Sequence, residues 1–373
     1  MGIIIKEVFT KSDLKKFINF QYELYKGNKF WCPPMKMDEM NTLSKDKNPS
    51  FDYCEARYWL AYKDDKIVGR IAGIINPKSN QRWEQKHIRF GWIEFINDVE
   101  VCQALLKTVE DWGKERGLNH IHGPLGFTDM DNEGMLVKGF DELSTMASIY
   151  NHEYFPELME KAGYQKDADW IQYEFKIPSE PNEKVEKFAN IAKERYGLRV
   201  LEVKKSKELL PYAKKMFELL NRSFKDLYGF TELTEKQMNL YVKQYFGFIV
   251  PKYICLVVDK SDEVVGFGVS LPSLTKASQK CKGNLFPFGF MHLLKALKNS
   301  EIIDMYLNGI APEYQGKGVH AIYYDFLTKS YINNNVKLAI TNPQLEENAK
   351  ALNVWKHYDG RQHITRRCYL KEI

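Results

Sequence analysis

Two stretches of the chain share one pattern of apolar and polar positions. Tyr58 to Tyr62, a charged turn Lys63-Asp64-Asp65-Lys66, and Ile67 to Ile75 predict a β-hairpin. Tyr253 to Val258, the polar stretch Asp259 to Glu263, and Val264 to Val269 predict a second. The elements around them repeat too. A strand over 3–10 and a helix over 12–25 precede the first hairpin, with Leu14, Phe17, Ile18 and Tyr22 on one helical face. A strand over 198–204 and a helix over 207–228 precede the second. Each hairpin is followed by a strand (88–96; 302–310), a helix (99–116; 319–332), a short strand (120–122; 337–341) and a helix ending in Gly (154–163; 348–360). The helix over 319–332 is expected to be strongly amphipathic, with Val319, Ile322, Tyr323, Phe326, Leu327, Ser330 and Tyr331 facing the core.

The pattern therefore divides the 373 residues into two similar α/β halves, 1–178 and 183–373. The join is the polar stretch Ile177-Pro178-Ser179-Glu180-Pro181-Asn182-Glu183. Two insertions interrupt the repeat. One, Trp31 to Phe51, is loop-rich. The other, Leu271 to Ser300, holds Phe286-Pro287-Phe288-Gly289-Phe290-Met291 and suits either a membrane-surface element or an aromatic lid packed on its own domain. The lid is the reading adopted.

Composition changes this picture little. Net charge is +5, with 44% hydrophobic and 28% charged residues, as in an ordinary globular chain. That charge is too small to argue for a nucleic-acid partner. No window is apolar enough to span a membrane, and Met1 to Glu7 reads as a first strand rather than a cleavable leader. Six scattered cysteines without a C-x-x-C pair suggest a reduced, cytoplasmic protein. His120 and His122 share a short strand with no third ligand at a metal-site spacing, so no metal is expected.

One segment carries sharper chemistry. Ile310-Ala311-Pro312-Glu313-Tyr314-Gln315-Gly316-Lys317-Gly318-Val319 turns from a strand into a helix. The first N–H groups of a helix have no intrahelical partner, and glycines there let an anion reach them. It is neither a P-loop nor a dinucleotide fingerprint. In the first half, Asn97-Asp98-Val99-Glu100 stands at the corresponding place, and its acidic groups would repel a diphosphate. That half carries instead the acidic loop Gly123 to Gly134. Asp129, Asp131 and Glu133 there suit either a cationic acceptor or a solvated turn.

At Gln315 to Gly318 the chain resembles the GNAT superfamily of acyl-CoA-dependent N-acyltransferases. That family's loop has Gln or Arg, two residues, Gly, one residue, then Gly or Ala, and only the last position departs, being His320. The element order, the segment Asn348-x-x-Ala351-x-x-Val354-Trp355, and the corner Leu158 to Tyr164 are also similar to the family's. The resemblance implies two tandem domains, each a mixed, mostly antiparallel sheet flanked by helices, the first a degenerate copy. It implies acetyl-CoA or another acyl-CoA as co-substrate. Gln315, Gly316, Lys317, Gly318 and Val319 would hold the diphosphate, and Ile310, Ala311 and Asn348 would lie along the pantetheine arm. The implied reaction is direct transfer of an acyl group, acetyl as the first expectation, to an amine acceptor. Asp304 and Tyr306 are candidates for proton transfer. Where much of the family has a Tyr on the last helix, this chain has Trp355, so His357 and Tyr358 are candidates for that role. The alternative is a non-catalytic CoA- or small-ligand-binding protein on the same fold. No stable membrane association is expected, and homo-oligomerisation is left open.

Overall fold

The computed structural model describes residues 2–349, 352 and 360–373. In the first half the order is β1 (Ile4–Glu7), α1 (Lys11–Leu24), α2 (Lys36–Leu43), β2 (Glu55–Lys63), β3 (Lys66–Ile75), α3 (Pro77–Arg82), β4 (His87–Phe95), α4 (Val99–Glu115), β5 (His120–Gly123), β6 (Met135–Lys138), α5 (Tyr154–Lys161) and β7 (Gln165–Lys176). The second half has α6 (Glu183–Tyr196), β8 (Arg199–Val200), α7 (Leu210–Phe224), α8 (Glu235–Tyr245), β9 (Ile254–Val258), β10 (Val264–Pro272), α9 (Thr275–Cys281), α10 (Gly289–Lys298), β11 (Ile302–Ile310), α11 (Val319–Asn333), β12 (Leu338–Thr341), β13 (Gln344–Leu345) and β14 (Gly360–Glu372).

Local chemistry explains most of these elements. Asp64 and Asp65 close the β2–β3 hairpin with φ of 50° and 59°, the left-handed pair that a tight hairpin turn requires. Helix α1 starts at Thr10 rather than at Ser12, because the Thr10 hydroxyl accepts from the Asp13 amide at 3.1 Å. Its Leu14, Phe17 and Ile18 are buried, as the periodicity requires.

Three expectations are corrected. The strand over 198–204 shrinks to two residues. Ahead of it stands α6, capped by Asn182 at one end and by the left-handed Gly197 at the other. Those caps are readable, but the fully buried residues of the helix are the small Ala189 and Ala192, Val185 and Tyr196 are only partly covered, and Phe188 and Ile191 are exposed, so its apolar stripe is blurred. Finally, α11 is not one-sided. Ala321, Tyr324 and Asp325 are buried along with Val319, Ile322 and Tyr323. Helix α6 covers the face expected to meet water, and Lys329 bridges Glu186 (2.7 Å) and Asp325 (2.9 Å). The helix expected over 348–360 falls largely outside the described residues.

The strands form one sheet in the order β1-β2-β3-β4-β5-β14-β7-β12-β11-β10-β9-β8, with β6 beside β14 and β13 beside β7. Pairing is antiparallel except for β4–β5 and β11–β12. In a strict repeat β7 would lie beside β5, and β14 beside β12. Each instead lies against the other half. β14 pairs with β5 from Tyr369 to Glu372 and with β7 along Gly360 to Leu370, while β7 pairs with β12. The loop at 177–182 still separates β7 from α6, but the sheet runs across it. The six cysteines are all unbridged and buried.

Candidate acyl-transfer site

The site begins where β11 parts from β12. The parallel pairing runs from Ile302–Leu338 to Met305–Thr341 and goes no further. The chain beyond β12 turns away, and β13 pairs with β7 instead. From Tyr306 to Ile310 the edge of β11 on that side has no strand partner among the described residues, while its other edge stays bonded to β10. The β10–β11 register shifts between Val269 and Ser270, whose partners are Leu307 and Met305. Tyr306 is the extra residue of this bulge. A bulge at the mouth of a wedge re-aims a side chain and frees backbone groups.

At the far end of this edge lies the glycine turn. Ala311 N donates to Val265 O at 2.9 Å, which anchors the strand end. Gln315 and Lys317 spend their N–H groups on carbonyls within the turn, Pro312 O and Tyr314 O. Among the described residues the amides of Gly316, Gly318, Val319 and His320 have no hydrogen-bond acceptor. Gly316 and Gly318 have φ of 76° and 80°, and Gly318 caps α11 with no side-chain bond. A Cβ at Gly316 would meet nothing within 4 Å, whereas one at Gly318 would lie 3.2 Å from Ala192 Cβ. The turn thus presents free donors and the positive end of a 15-residue helix to open space. Lys317 Nζ lies 5.3 Å and 5.2 Å from the ring centres of Tyr196 and Tyr314. The His320 side chain is exposed.

Asp304 is 4% exposed, and neither carboxylate oxygen has a hydrogen bond of good geometry. Burial pushes its pKa up to about 7, with Ser273 working the other way. The Tyr306 phenol is held well above its usual range, first by burial and then by Asp304, Cys32 and Tyr245. It stays protonated and can donate. Asn348 lies in the turn after β13, its amide donating to Leu345 O at 3.0 Å, and the asparagine that lines the nearby cavity is Asn342. His357 and Tyr358, with Trp355, fall outside the described residues.

A cavity of about 350 Å³ opens from Tyr306 and Leu307. It runs between the halves past Tyr241 and Tyr245 of α8, Met216 of α7 and Leu271 of β10 to Met35 of α2. Its walls are mostly apolar, and its size suits a small-molecule site.

The first half repeats the wedge but fills it. β4 leaves β5 after Arg89, and a bulge places Trp92 at φ 43°. Leu125 N then donates to Phe90 O at 2.8 Å, and a Cβ at Gly91 would meet Leu125 O at 2.5 Å. At the start of α4 the Asp98 carboxylate accepts from Glu100 N (3.0 Å) and Val101 N (3.4 Å), so that anion site is already occupied by the chain itself. In the acidic loop, Asp131 accepts from Phe127 N (2.8 Å) and Thr128 N (3.1 Å) and serves the loop's own shape. Burial raises Asp131 to about 6 and Asp129 to about 7, and the Glu133 carboxyl is raised well above its usual range by burial and by Asp129. Asp129 and Asp131 both line the cavity.

Sequence reasoning missed Glu39, because α2 lies in the insertion read as loop and has no side-chain cap. Its Oε2 accepts from Trp92 Nε1 (3.1 Å) and Gln21 Nε2 (3.3 Å), and burial pushes its carboxyl up to about 7 while Arg70 pulls it down. Arg70 is 1% exposed, pairs with Glu94, and donates to Phe17 O at 2.9 Å. Arg70→Met is expected to cost about 3–5 kcal/mol, since it strands two carboxylates in the cavity wall. Urea unfolding measures this, and adding Glu94→Gln should restore part of the loss.

His122, Asp167 and Cys368 bring one donor atom each within 4.8 Å of one another. They come from β5, β7 and β14, so no local spacing announces them. The Tyr228 hydroxyl stands among them, donating to Asp167 and lying 3.4 Å from both His122 Nδ1 and Cys368 Sγ. The group joins the exchanged strands to a residue of the second half.

No family model matches the chain. It is 26% identical over 379 residues to protein YghO of Escherichia coli K12, covering 99% of this chain and 95% of that protein. It is 28% identical over 299 residues to a bacterial ceramide synthase of Caulobacter vibrioides, covering 78% of this chain and 75% of that protein. Among solved structures, a tandem GNAT protein from the clavulanic acid biosynthesis pathway superposes with a TM-score of 0.56 at 10% identity, over 100% of this chain and 98% of that one. At that identity the likeness shows the fold alone, and the fold is the one seen in that tandem GNAT protein.

Proposed function

We propose that the chain is an acyl-CoA-dependent N-acyltransferase whose co-substrate lies along the second half. The observation that carries this is the free edge of β11 from Tyr306 to Ile310, leading straight to the unpaired amides of Gly316, Gly318, Val319 and His320. Those amides and Lys317 would hold the diphosphate, and the strand edge would bond the amides of the pantetheine arm. When bound, the thioester supplies an electrophilic acyl carbon. Asp304, near the operating pH in its affinity for protons, accepts the proton that the attacking amine must lose. Backbone N–H groups at the Tyr306 bulge, with the Tyr306 phenol, stabilise charge developing on the carbonyl oxygen. The new bond is N–C, the broken bond is C–S, and the departing sulfur takes up a proton.

The apolar cavity between the halves favours a substrate with a long chain over acetyl transfer to a small polar amine. The similarity to a ceramide synthase points the same way, since a ceramide is the amide of a fatty acid with a long-chain amino alcohol. The direct test incubates the full chain with acetyl-CoA or palmitoyl-CoA and a set of amines that includes a long-chain amino alcohol. Amide formation by mass spectrometry, fastest for the long-chain pair, is the expected result. Binding of acyl-CoA without any amide product would favour the ligand-binding alternative.

A further inference from the structure

The insertion between β10 and β11 does not fold back as a lid. Phe286 is 75% exposed, Phe288 70%, Met291 57% and Leu294 51%. Elsewhere among the described residues, large exposed apolar side chains come singly or in pairs. On α10, Phe290, Met291, Leu294 and Lys298 follow i, i+1, i+4, i+8 spacing and share one face. The opposite face is anchored through Leu293, 3% exposed, which packs with Leu274, Ala277, Cys281 and Met35. The element is therefore held firmly from below while no described residue covers its apolar face.

Charge says what covers it. Residues 273–300 contain no Asp or Glu. They contain Lys276, Lys280, Lys282, Lys295 and Lys298, all exposed. No described helix is long and apolar enough to cross a membrane. An exposed aromatic and apolar face in a segment whose only charged side chains are lysines is the chemistry of an element lying in the headgroup region of an anionic bilayer.

We infer that α10 and the Phe286–Phe290 hook dock the protein onto an anionic lipid surface. The placement fits the cavity. Met35 and Leu274, which support α10 from below, also line the cavity wall. A docked molecule would hold that wall against the bilayer, where apolar long-chain molecules reside. The inference stands on exposure and charge and is independent of the acyl-transfer reading, so the experiment reads binding rather than turnover.

The test is co-sedimentation of the full chain with vesicles of phosphatidylcholine alone and of phosphatidylcholine mixed equally with phosphatidylglycerol. Binding to the mixed vesicles, weakened by salt, is expected. Phe286→Ser with Phe288→Ser and Met291→Ser should lower it at least tenfold. Lys295→Gln and Lys298→Gln should each lower it about fivefold on mixed vesicles and leave binding to neutral ones unchanged. All five side chains are exposed, and matching melting curves would show that the variants fold. Equal binding of all variants would overturn the inference. So would a concentration-dependent dimer in ultracentrifugation that the triple serine variant abolishes, since a second copy would then be covering the face.

Discussion

Asp304→Asn is expected to slow turnover by on the order of 10²–10⁴-fold while making the fold more stable. The two effects have one origin. Asp304 is buried among groups that do not neutralise it, and its pKa sits at about 7 against an ordinary 3.8. Between those values the unfolded chain has released its proton and the folded chain still holds it. Stability therefore falls as pH rises through that window, and the loss is complete above the folded value. The difference corresponds to on the order of 4 kcal/mol. Asparagine removes the charge and with it this slope. Melting temperatures measured between about pH 5 and 8 should decline for the parent protein and stay flatter for the variant. Acyl-CoA affinity should not change, because Asp304 lies away from the glycine turn. A variant with parental turnover would remove Asp304 from the reaction.

Gly316→Asp should weaken acyl-CoA binding about 100-fold, and Gly316→Asn by less than about tenfold. Gly316 has φ 76°, which Asn and Asp tolerate better than other side chains do. Its Cβ direction is open, so either side chain enters the space before the unpaired amides without displacing protein atoms. The aspartate then competes for the donors and repels the diphosphate, whereas the asparagine adds bulk alone. Titration calorimetry on the full chain separates the two. Equal affinities for both variants would place the diphosphate elsewhere.

What the sequence discloses follows from the range of the interactions involved. The hairpin turns, the β11 strand and the glycine turn into α11 are local, and each is written in contiguous residues such as Asp64-Asp65 or Gly316-Lys317-Gly318. The pairing of Asp304 with Tyr306 on one strand is local too. Other features depend on partners far away in the chain. Glu39 becomes a cavity residue only because Trp92 and Arg70 meet it. Likewise, α11 is buried on two sides only because α6 arrives from the linker. The exchange of β7 and β14 is invisible to periodicity, since an antiparallel strand has the same pattern beside either neighbour. The aromatic insertion shows the opposite failure. Its composition suited two environments, and only the observed exposure of Phe286 and Phe288 separates them.

The exchanged last strand also sets a timetable for biogenesis. When the ribosome has finished residues 1–178, the early sheet still has a gap between β5 and β7 that only residues 360–372 fill. Those residues are made only after the rest of the second half. Neither half is complete until residues 360–372 have been made, and a chain that stopped before residue 360 would hold two unfinished sheets rather than one sound module and one missing one.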